Sequence, residues 1–153
     1  MKPLVAAIRV NPEIVSVLGE QLVSDPLTAL SELVKNSYDA DAKKVTIRFP
    51  KAGNSIVIED DGHGMSLEDI RTGWLEIASS IKRRRARSRK GKRVLTGSMG
   101  IGRLAAFSLA NVIVAESGEK LGPWRKFSLD FQKITSVKDL SKARVSISVM
   151  RDR

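Results

Sequence analysis

The chain contains no cysteine among its 153 residues. This absence excludes disulfide bonds, thiolate zinc sites and a cysteine nucleophile, and it fits a reducing compartment, so we expect a cytoplasmic protein. Long apolar runs are also missing, because no stretch approaches the ~18 residues that a membrane-spanning helix requires. We therefore expect no membrane partner. Residues 1–10 lack a long apolar core and a cleavage pattern, which excludes a signal peptide.

Aromatic residues are scarce, at 5% of the chain, and the single histidine, His63, lies between two glycines. We predict that His63 is exposed in a turn and is a weak catalytic candidate. The net charge is +10, yet residues 82–93 alone contain nine lysines or arginines and no acid. Subtracting nine from +10 leaves +1 for all other residues. The sequence therefore predicts a near-neutral domain with one basic segment that attracts phosphate-bearing molecules.

The length and composition suit one α/β domain, which we assign to residues 1–153. Helices are predicted at residues 12–21, at 26–39 after a capping Ser24 or Asp25, from Ser66 with a capping box to Asp69, and at 104–110. Strands are predicted at residues 44–49, 55–59, 112–116, 126–131 and 144–150. Because helices and strands come in separate groups, we expect a two-layer sandwich with a mixed, mostly antiparallel sheet and helices on one face.

The first motif places Glu32, Asn36 and Asp39 at positions i, i+4 and i+7, so one stripe of a helix presents all three. A carboxamide oxygen together with phosphate oxygens suits magnesium, which prefers oxygen ligands and keeps several waters. A neighbouring carboxylate could orient a water molecule and accept its proton. A solvated polar helix face is the alternative interpretation of this triplet.

The second motif, Asp-Asp-Gly-His-Gly-Met at residues 60–65, directly follows an apolar strand. An acid at a strand end can accept a hydrogen bond from an exocyclic amine such as that of adenine. Glycines there let the backbone approach a flat ring closely. An ordinary Asp-Gly turn would give the same pattern.

The third motif is the glycine-rich stretch at residues 97–102, which enters a predicted helix. Free amide groups at the start of a helix can hold a phosphate group. The stretch is not a P-loop, because no Gly-Lys-Ser/Thr follows it. It does not follow a strand in a β-α-β unit either, which excludes a dinucleotide-binding Rossmann motif.

Together, the three motifs resemble the GHKL superfamily of gyrase, the large heat-shock chaperone, histidine kinases and MutL. ELVKNSYDADA at 32–42, DDGHGM at 60–65 and GSMGIGR at 97–103 have the family's order and spacing. The resemblance covers about residues 27–111 and implies the Bergerat ATP-binding fold. It is strongest to the MORC-type and gyrase, MutL and chaperone branches, in which a glutamate also precedes the asparagine by four residues.

The resemblance implies ATP and Mg2+ as cofactors, Glu32 as the general base, Asn36 as the magnesium ligand and Asp60 as the adenine contact. Further nucleotide contacts are implied at Asp39, Gly62, Gly64, Met65, Lys82, Gly97, Met99, Gly100, Ile101, Gly102 and Arg103. Between Lys82 and Arg103, the choice of phosphate contact stays open. We expect slow ATP hydrolysis that acts as a conformational switch, with a nucleotide-dependent homodimer.

In the resemblance, residues 79–98 fall where the family has its flexible ATP lid. Mutual repulsion of the nine cations in residues 82–93 favours an open loop there. We consider nucleic-acid contact through residues 82–93, with a solvated basic loop without a partner as the alternative. Two departures stand out. The family's Gly-Thr pair near the adenine-binding aspartate is missing, with Ser146 or Ser148 as substitutes. The second domain that supplies a lysine is absent too, so we expect an N-terminal fragment of a longer protein. The alternatives are a nucleotide-binding module without hydrolysis, a histidine-kinase catalytic domain and a plain basic nucleic-acid binder.

Overall fold

A computed structural model of the chain describes residues 25–51, 53–76, 87–91, 93–96 and 106–150. The elements in these ranges are α1 (Pro26–Asp39), β1 (Val45–Arg48), β2 (Val57–Asp60), the π-helical α2 (Asp69–Leu75), β3 (Val112–Ser117), β4 (Arg125–Asp130), α3 (Phe131–Thr135), a 3₁₀ helix (Leu140–Lys142) and β5 (Ile147–Val149). The predicted α/β class is confirmed. The predicted helix at 12–21 and the first residues of the one at 104–110 lie outside the described ranges. None of the helices described is long and apolar enough to cross a membrane.

Helix α1 begins and ends where its sequence dictates. The Asp25 side chain accepts hydrogen bonds from the N–H groups of Leu27 at 2.7 Å and Thr28 at 3.3 Å, and proline occupies the first turn. These bonds satisfy donors that a helix start leaves open. At the other end, Asp41 takes a positive φ of 63°, a conformation that cannot continue a helix. The helix therefore ends before Asp41, and a short connection leads from it to β1.

The strands described form two antiparallel sheets. β1 pairs with β2 in a hairpin whose register places Val45 opposite Asp60. β3, β4 and β5 form the other sheet in that order. The hairpin thus fixes the position of Asp60 at the end of β2, where the chain enters the Asp-Gly loop.

The larger core cluster lies between α2 and the three-stranded sheet. Ile70, Phe127 and Leu129 are its buried members. Trp74 meets Phe127 edge to face, with ring centroids 5.7 Å apart, a geometry that aromatic rings favour. The predicted capping box is confirmed, since Ser66 N–H donates to Asp69 Oδ2 at 2.9 Å and Asp69 N–H donates to Ser66 Oγ at 3.1 Å. The core and this cap together hold α2 beside the loop at residues 61–65.

The loop at residues 61–65 packs tightly against the turn that follows β3. Gly64 has a φ of 68°, and a Cβ atom on it would lie 1.9 Å from the carbonyl oxygen of Gly118. Both observations require glycine, because a side chain would clash with backbone that cannot move aside, and a positive φ disfavours other residues. The contact brings the second motif against the β3–β4 turn.

We predict that Gly64→Ala lowers the free energy of unfolding by about 2 kcal/mol or more, because the methyl group adds a clash to an unfavourable backbone conformation. Urea denaturation followed by circular dichroism measures this change. Gly73→Ala is the matched control, since a Cβ atom there meets nothing within 4 Å. The control should be neutral or stabilising by up to about 1 kcal/mol. Equal destabilisation by both variants would contradict the packing described.

Candidate functional site

Asp60 ends β2 with its carboxylate held by two donors. Ser37 Oγ on α1 donates to Oδ2 at 2.9 Å, and Gly62 N–H donates to Oδ1 at 2.9 Å. Ser37 is 4% exposed, whereas Asp60 is exposed. A carboxylate offers about four acceptor positions, so two bonds leave capacity for a ligand. Asp60 therefore presents an oriented and accessible acceptor, which is what recognition of an exocyclic amine requires.

The Asp-Gly loop lies directly on the C-terminal end of α1. A Cβ atom on Gly62 would come within 2.9 Å of both Cβ and the carbonyl oxygen of Ala40. His63 N–H donates to the same Ala40 oxygen at 2.9 Å. His63 is half-buried, so the prediction of an exposed histidine is wrong, and its Nδ1 lies 2.6 Å from the Gly64 carbonyl oxygen. The first and second motifs are thus brought together, as the resemblance implies.

Met65, predicted to pack near adenine, connects the loop to β3. Its N–H donates to Ser117 Oγ at 3.0 Å, and its side chain packs against the core cluster of Ile70 and Phe127. With the Gly64 contact to Gly118, this bond gives the loop a second support besides α1. The predicted contact of Met65 with the base stays a prediction.

Asp39 connects α1 to the residues that precede the glycine motif. It is 7% exposed, and its Oδ1 accepts hydrogen bonds from Thr96 N–H at 2.9 Å and Thr96 Oγ1 at 3.0 Å. Thr96 directly precedes Gly97 in the sequence. The carboxylate therefore has a partner within the protein, and its implied contact with the nucleotide stays a prediction.

Glu32 and Asn36 lie one helical turn apart on α1. Glu32 Oε1 accepts a hydrogen bond from Lys35 Nζ at 2.7 Å, and these side chains are 27% and 48% exposed. An exposed pair of this kind contributes only about 0–1 kcal/mol, so Glu32 can exchange Lys35 for a water molecule at little cost. The half-buried Asn36 immediately precedes Ser37, which binds Asp60.

A magnesium ion at this site would depend on few protein ligands. No group of three acidic or histidine side chains that could hold a metal forms within the ranges described. The donor set around Asn36 fits magnesium in another way, because this ion commonly takes one or two protein oxygens and completes its shell with phosphate and water. The roles of Glu32 and Asn36 stay predictions.

The second half of the basic segment forms a small hairpin. Arg87 pairs with Val94 in a β-bridge, and Ser88 N–H donates to the Arg93 carbonyl oxygen at 2.9 Å. Gly91 takes a positive φ of 68° at the tip. The sequence predicts an open loop over residues 82–93, within the lid at 79–98 that the resemblance implies, and residues 79–86, 92, 97 and 98 lie outside the described ranges. We call residues 87–91, 93 and 94 the basic hairpin below.

The basic hairpin contacts the C-terminal end of α1. Asp41, 7% exposed, accepts a hydrogen bond from Lys90 N–H at 3.1 Å, and the Ser88 hydroxyl is the main cause that lowers the pKa of this carboxyl group. Arg93 donates to the Tyr38 carbonyl oxygen at 3.0 Å and lies 4.5 Å above the Tyr38 ring. A cation over an aromatic face is attracted to it. The hairpin is thus held by specific contacts, although its charges repel one another.

Several predicted residues lie outside the described ranges: Lys82, Gly97, Met99, Gly100, Ile101, Gly102 and Arg103. The hydroxyl that binds Asp60 belongs to Ser37. By contrast, Ser148, one of the predicted substitutes for the missing threonine, donates to the Lys126 carbonyl oxygen at 3.3 Å, and Ser146 is exposed.

The sequence analysis overlooked Ser37 and Thr96. Each directly adjoins a predicted residue, Asn36 in one case and Gly97 in the other, and this proximity is the one signal that could have identified them. Their partners, Asp60 and Asp39, are 23 and 57 residues away in the chain. Only the folded arrangement brings these pairs together.

A sequence profile of the family described as histidine kinase-, DNA gyrase B- and HSP90-like ATPases matches residues 24–151. The match includes every residue that the structure describes. It also contains all three motifs.

Known relatives match shorter parts of the chain. Over 95 residues, 62% of the chain, it is 41% identical to a Herpetosiphon aurantiacus protein assigned as a type II restriction enzyme, HgiDII, and covers 15% of that protein. Over 61 residues, 39% of the chain, it is 36% identical to the DNA mismatch repair protein MutL of Clostridium tetani and 41% identical to that of Bacillus licheniformis, and covers 10% of each. The chain thus spans a small fraction of these relatives.

We predict that Ser37→Ala lowers the free energy of unfolding by about 1–2 kcal/mol, because the Asp60 carboxylate loses a hydrogen-bond donor. The control is Ser31→Ala, an exposed serine on the same helix. Both variants gain the same small helix-propensity benefit from alanine, so their difference isolates the bond. Urea unfolding at neutral pH measures both. Identical free energies for the two variants would show that the Ser37–Asp60 bond does not stabilise the fold.

Proposed function

The chain belongs to the family of histidine kinase-, DNA gyrase B- and HSP90-like ATPases, and on this premise we propose that it binds ATP beside Asp60 and α1 and hydrolyses it slowly with magnesium. The Asp60 carboxylate is the observation that carries the proposal. It is accessible, yet Ser37 and Gly62 each donate a hydrogen bond to one of its two oxygens. A fixed acceptor avoids the ordering cost that a mobile side chain incurs when it binds a ligand.

In this proposal the base lies on the Asp-Gly loop. The adenine amine donates to the Asp60 carboxylate, and Gly62 and Gly64 present backbone without side chains next to the ring. Both glycines already contact backbone closely, Gly62 at Ala40 and Gly64 at Gly118. The loop surface is therefore set before nucleotide arrives.

The hydrolytic step is assigned to α1. Glu32 exchanges its Lys35 partner for a water molecule, orients that water towards the terminal phosphate and accepts its proton. A magnesium ion held by Asn36 would supply charge neutralisation at the phosphate oxygens. Turnover is slow in this proposal, and the coupled output is a change of conformation and the pairing of two chains.

We predict that the 153-residue chain binds ADP with magnesium and that Asp60→Asn weakens this binding at least tenfold, since a charge-assisted hydrogen bond contributes about 1.5–3 kcal/mol. Isothermal titration calorimetry measures the dissociation constants. Glu59→Gln is the matched control, because it removes the neighbouring charge from an exposed side chain whose partner is Arg48, at 2.7 Å.

In the same preparations, Glu32→Ala should abolish phosphate release from ATP while binding persists.

The outcomes separate the candidate functions. Tight ADP binding without phosphate release from the parent chain would favour a nucleotide-binding module without hydrolysis. Phosphoryl transfer from the chain to a histidine on a partner protein would favour the kinase alternative. Equal loss of ADP affinity in Asp60→Asn and Glu59→Gln would show that Asp60 does not contact the nucleotide.

DNA contact through the basic hairpin is a second candidate function. Four exposed cationic residues lie close to Asp41 in sequence or structure: Lys43, Lys44, Arg87 and Lys90. The Asp61 carboxylate fixes the backbone of both Lys43 and Lys44, at 2.7 and 2.8 Å. The relatives named as a mismatch repair protein and a restriction enzyme support DNA as the polyanion.

We predict that duplex DNA binds the chain with an affinity that falls steeply with salt, and that replacing Arg87 and Lys90 by glutamine lowers the slope of log K against log salt by about 2, since each phosphate contact contributes about 0.9. Fluorescence anisotropy over a salt series measures the slope. The control replaces the exposed Lys133 in α3 and the exposed Lys142 in the 3₁₀ helix Leu140–Lys142. An equal change of slope in both double variants would indicate a general charge effect instead of a contact surface.

A further inference from the structure

One arginine of the basic hairpin joins two acidic residues from separate parts of the fold. Arg89 Nη2 bonds to Asp69 Oδ2 in α2, and Nη1 bonds to Glu119 Oε1 at 2.8 Å in the turn after β3. The three side chains are between 33% and 41% exposed. Both terminal nitrogens of the guanidinium are therefore engaged, each with a different carboxylate.

Asp69 and Glu119 belong to two segments that already contact each other, the Asp-Gly loop with α2 and the β3–β4 turn. Asp69 caps α2 immediately after the Asp-Gly loop, and Glu119 follows Gly118, on which Gly64 packs. Between them, Met65 N–H donates to Ser117 Oγ at 3.0 Å. Arg89 thus bridges the same two segments that the contact between Gly64 and Gly118 joins.

We propose that Arg89 is a positioning residue for the nucleotide base, holding the Asp-Gly loop against the β3–β4 turn so that its surface is set for a purine. This role rests on the proposed binding of ATP beside Asp60. Arg89 reaches this position because its hairpin is held on α1, where the neighbouring Lys90 N–H donates to Asp41 at 3.1 Å. The base side of the site is consequently connected to the helix that carries Asn36.

The chemistry of arginine suits a bridge between two carboxylates. A planar guanidinium presents several N–H groups in a fixed fork, whereas a lysine ammonium is a single point charge. Hydrogen bonding to Asp69 raises the pKa of Arg89, and the bonds from Arg89 and Ser66 lower the pKa of Asp69 although burial opposes this. The Arg89 charge is thus compensated within the protein.

Arg87 differs from Arg89 in this respect and offers a matched control. It is exposed on the same hairpin, and its guanidinium donates to the Gly91 carbonyl oxygen at 3.3 Å. Glutamine at either position removes one positive charge from the segment. Only the change at Arg89 removes a bridge between α2 and the β3–β4 turn.

The test is calorimetric titration of the 153-residue chain with ADP and magnesium. We expect Arg89→Gln to raise the dissociation constant about fivefold or more, as loss of two partly exposed ion pairs predicts, and Arg87→Gln to change it less than twofold. Glu119→Gln should also raise it, and adding this change to Arg89→Gln should cost less than the sum of the two single changes. Equal effects of Arg89→Gln and Arg87→Gln would overturn the proposal.

Two further outcomes remain decisive. If circular dichroism shows that Arg89→Gln does not fold, Arg89→Lys takes its place in the ADP titration. The expected result is then a dissociation constant between those of the parent and Glu119→Gln, and a value equal to that of the parent overturns the role of Arg89. If the parent chain itself does not bind ADP, the proposed function fails and this role fails with it. Parent binding with additive effects of Glu119→Gln and an Arg89 variant overturns the positioning role alone.

Discussion

The hydrogen bond from Ser37 Oγ to the Asp60 carboxylate, 2.9 Å long, connects the helix with the predicted catalytic residues to the strand that ends in the predicted base contact. The bond orients the base contact at the end of β2 relative to the functional groups of α1. The serine is buried and the aspartate is exposed, so the protein determines the orientation of a group that still faces solvent. This bond and the bond from His63 N–H to the Ala40 carbonyl oxygen, at 2.9 Å, together hold the two parts of the candidate site as one unit.

The C-terminal turn of α1 extends this arrangement to the rest of the domain. Asp39 holds Thr96, Asp41 holds the backbone of Lys90, and the Tyr38 carbonyl oxygen receives Arg93. One short stretch of chain thus anchors both the Asp-Gly loop and the basic hairpin. Among the described cations of this segment, Arg89 is compensated within the fold, whereas Arg87 is exposed. A charge count alone would treat them as equivalent.

Much of the architecture follows from local sequence. Asp25 and the proline after it predict the start of α1, the β-branched runs predict the β1–β2 hairpin, and Ser66 with Asp69 predicts the cap of α2, all confirmed by the structure. These features depend on neighbours within a few residues, where backbone geometry and side-chain chemistry act directly. The motif order also led to the family that the sequence profile matches. The partners of Ser37 and Arg89 depend on the tertiary fold, so no local pattern predicted them. Repulsion among cations predicted an open loop over residues 82–93, whereas the described residues of the basic hairpin are held by distant carboxylates.

The most direct measurement of the central claim is a crystal structure of the chain with a non-hydrolysable ATP analogue and magnesium. The account predicts the adenine amine on the Asp60 carboxylate, with the Ser37 bond retained, and the metal beside the Asn36 carboxamide. Nucleotide bound elsewhere, or Asp60 turned away from the base towards α1, would contradict it.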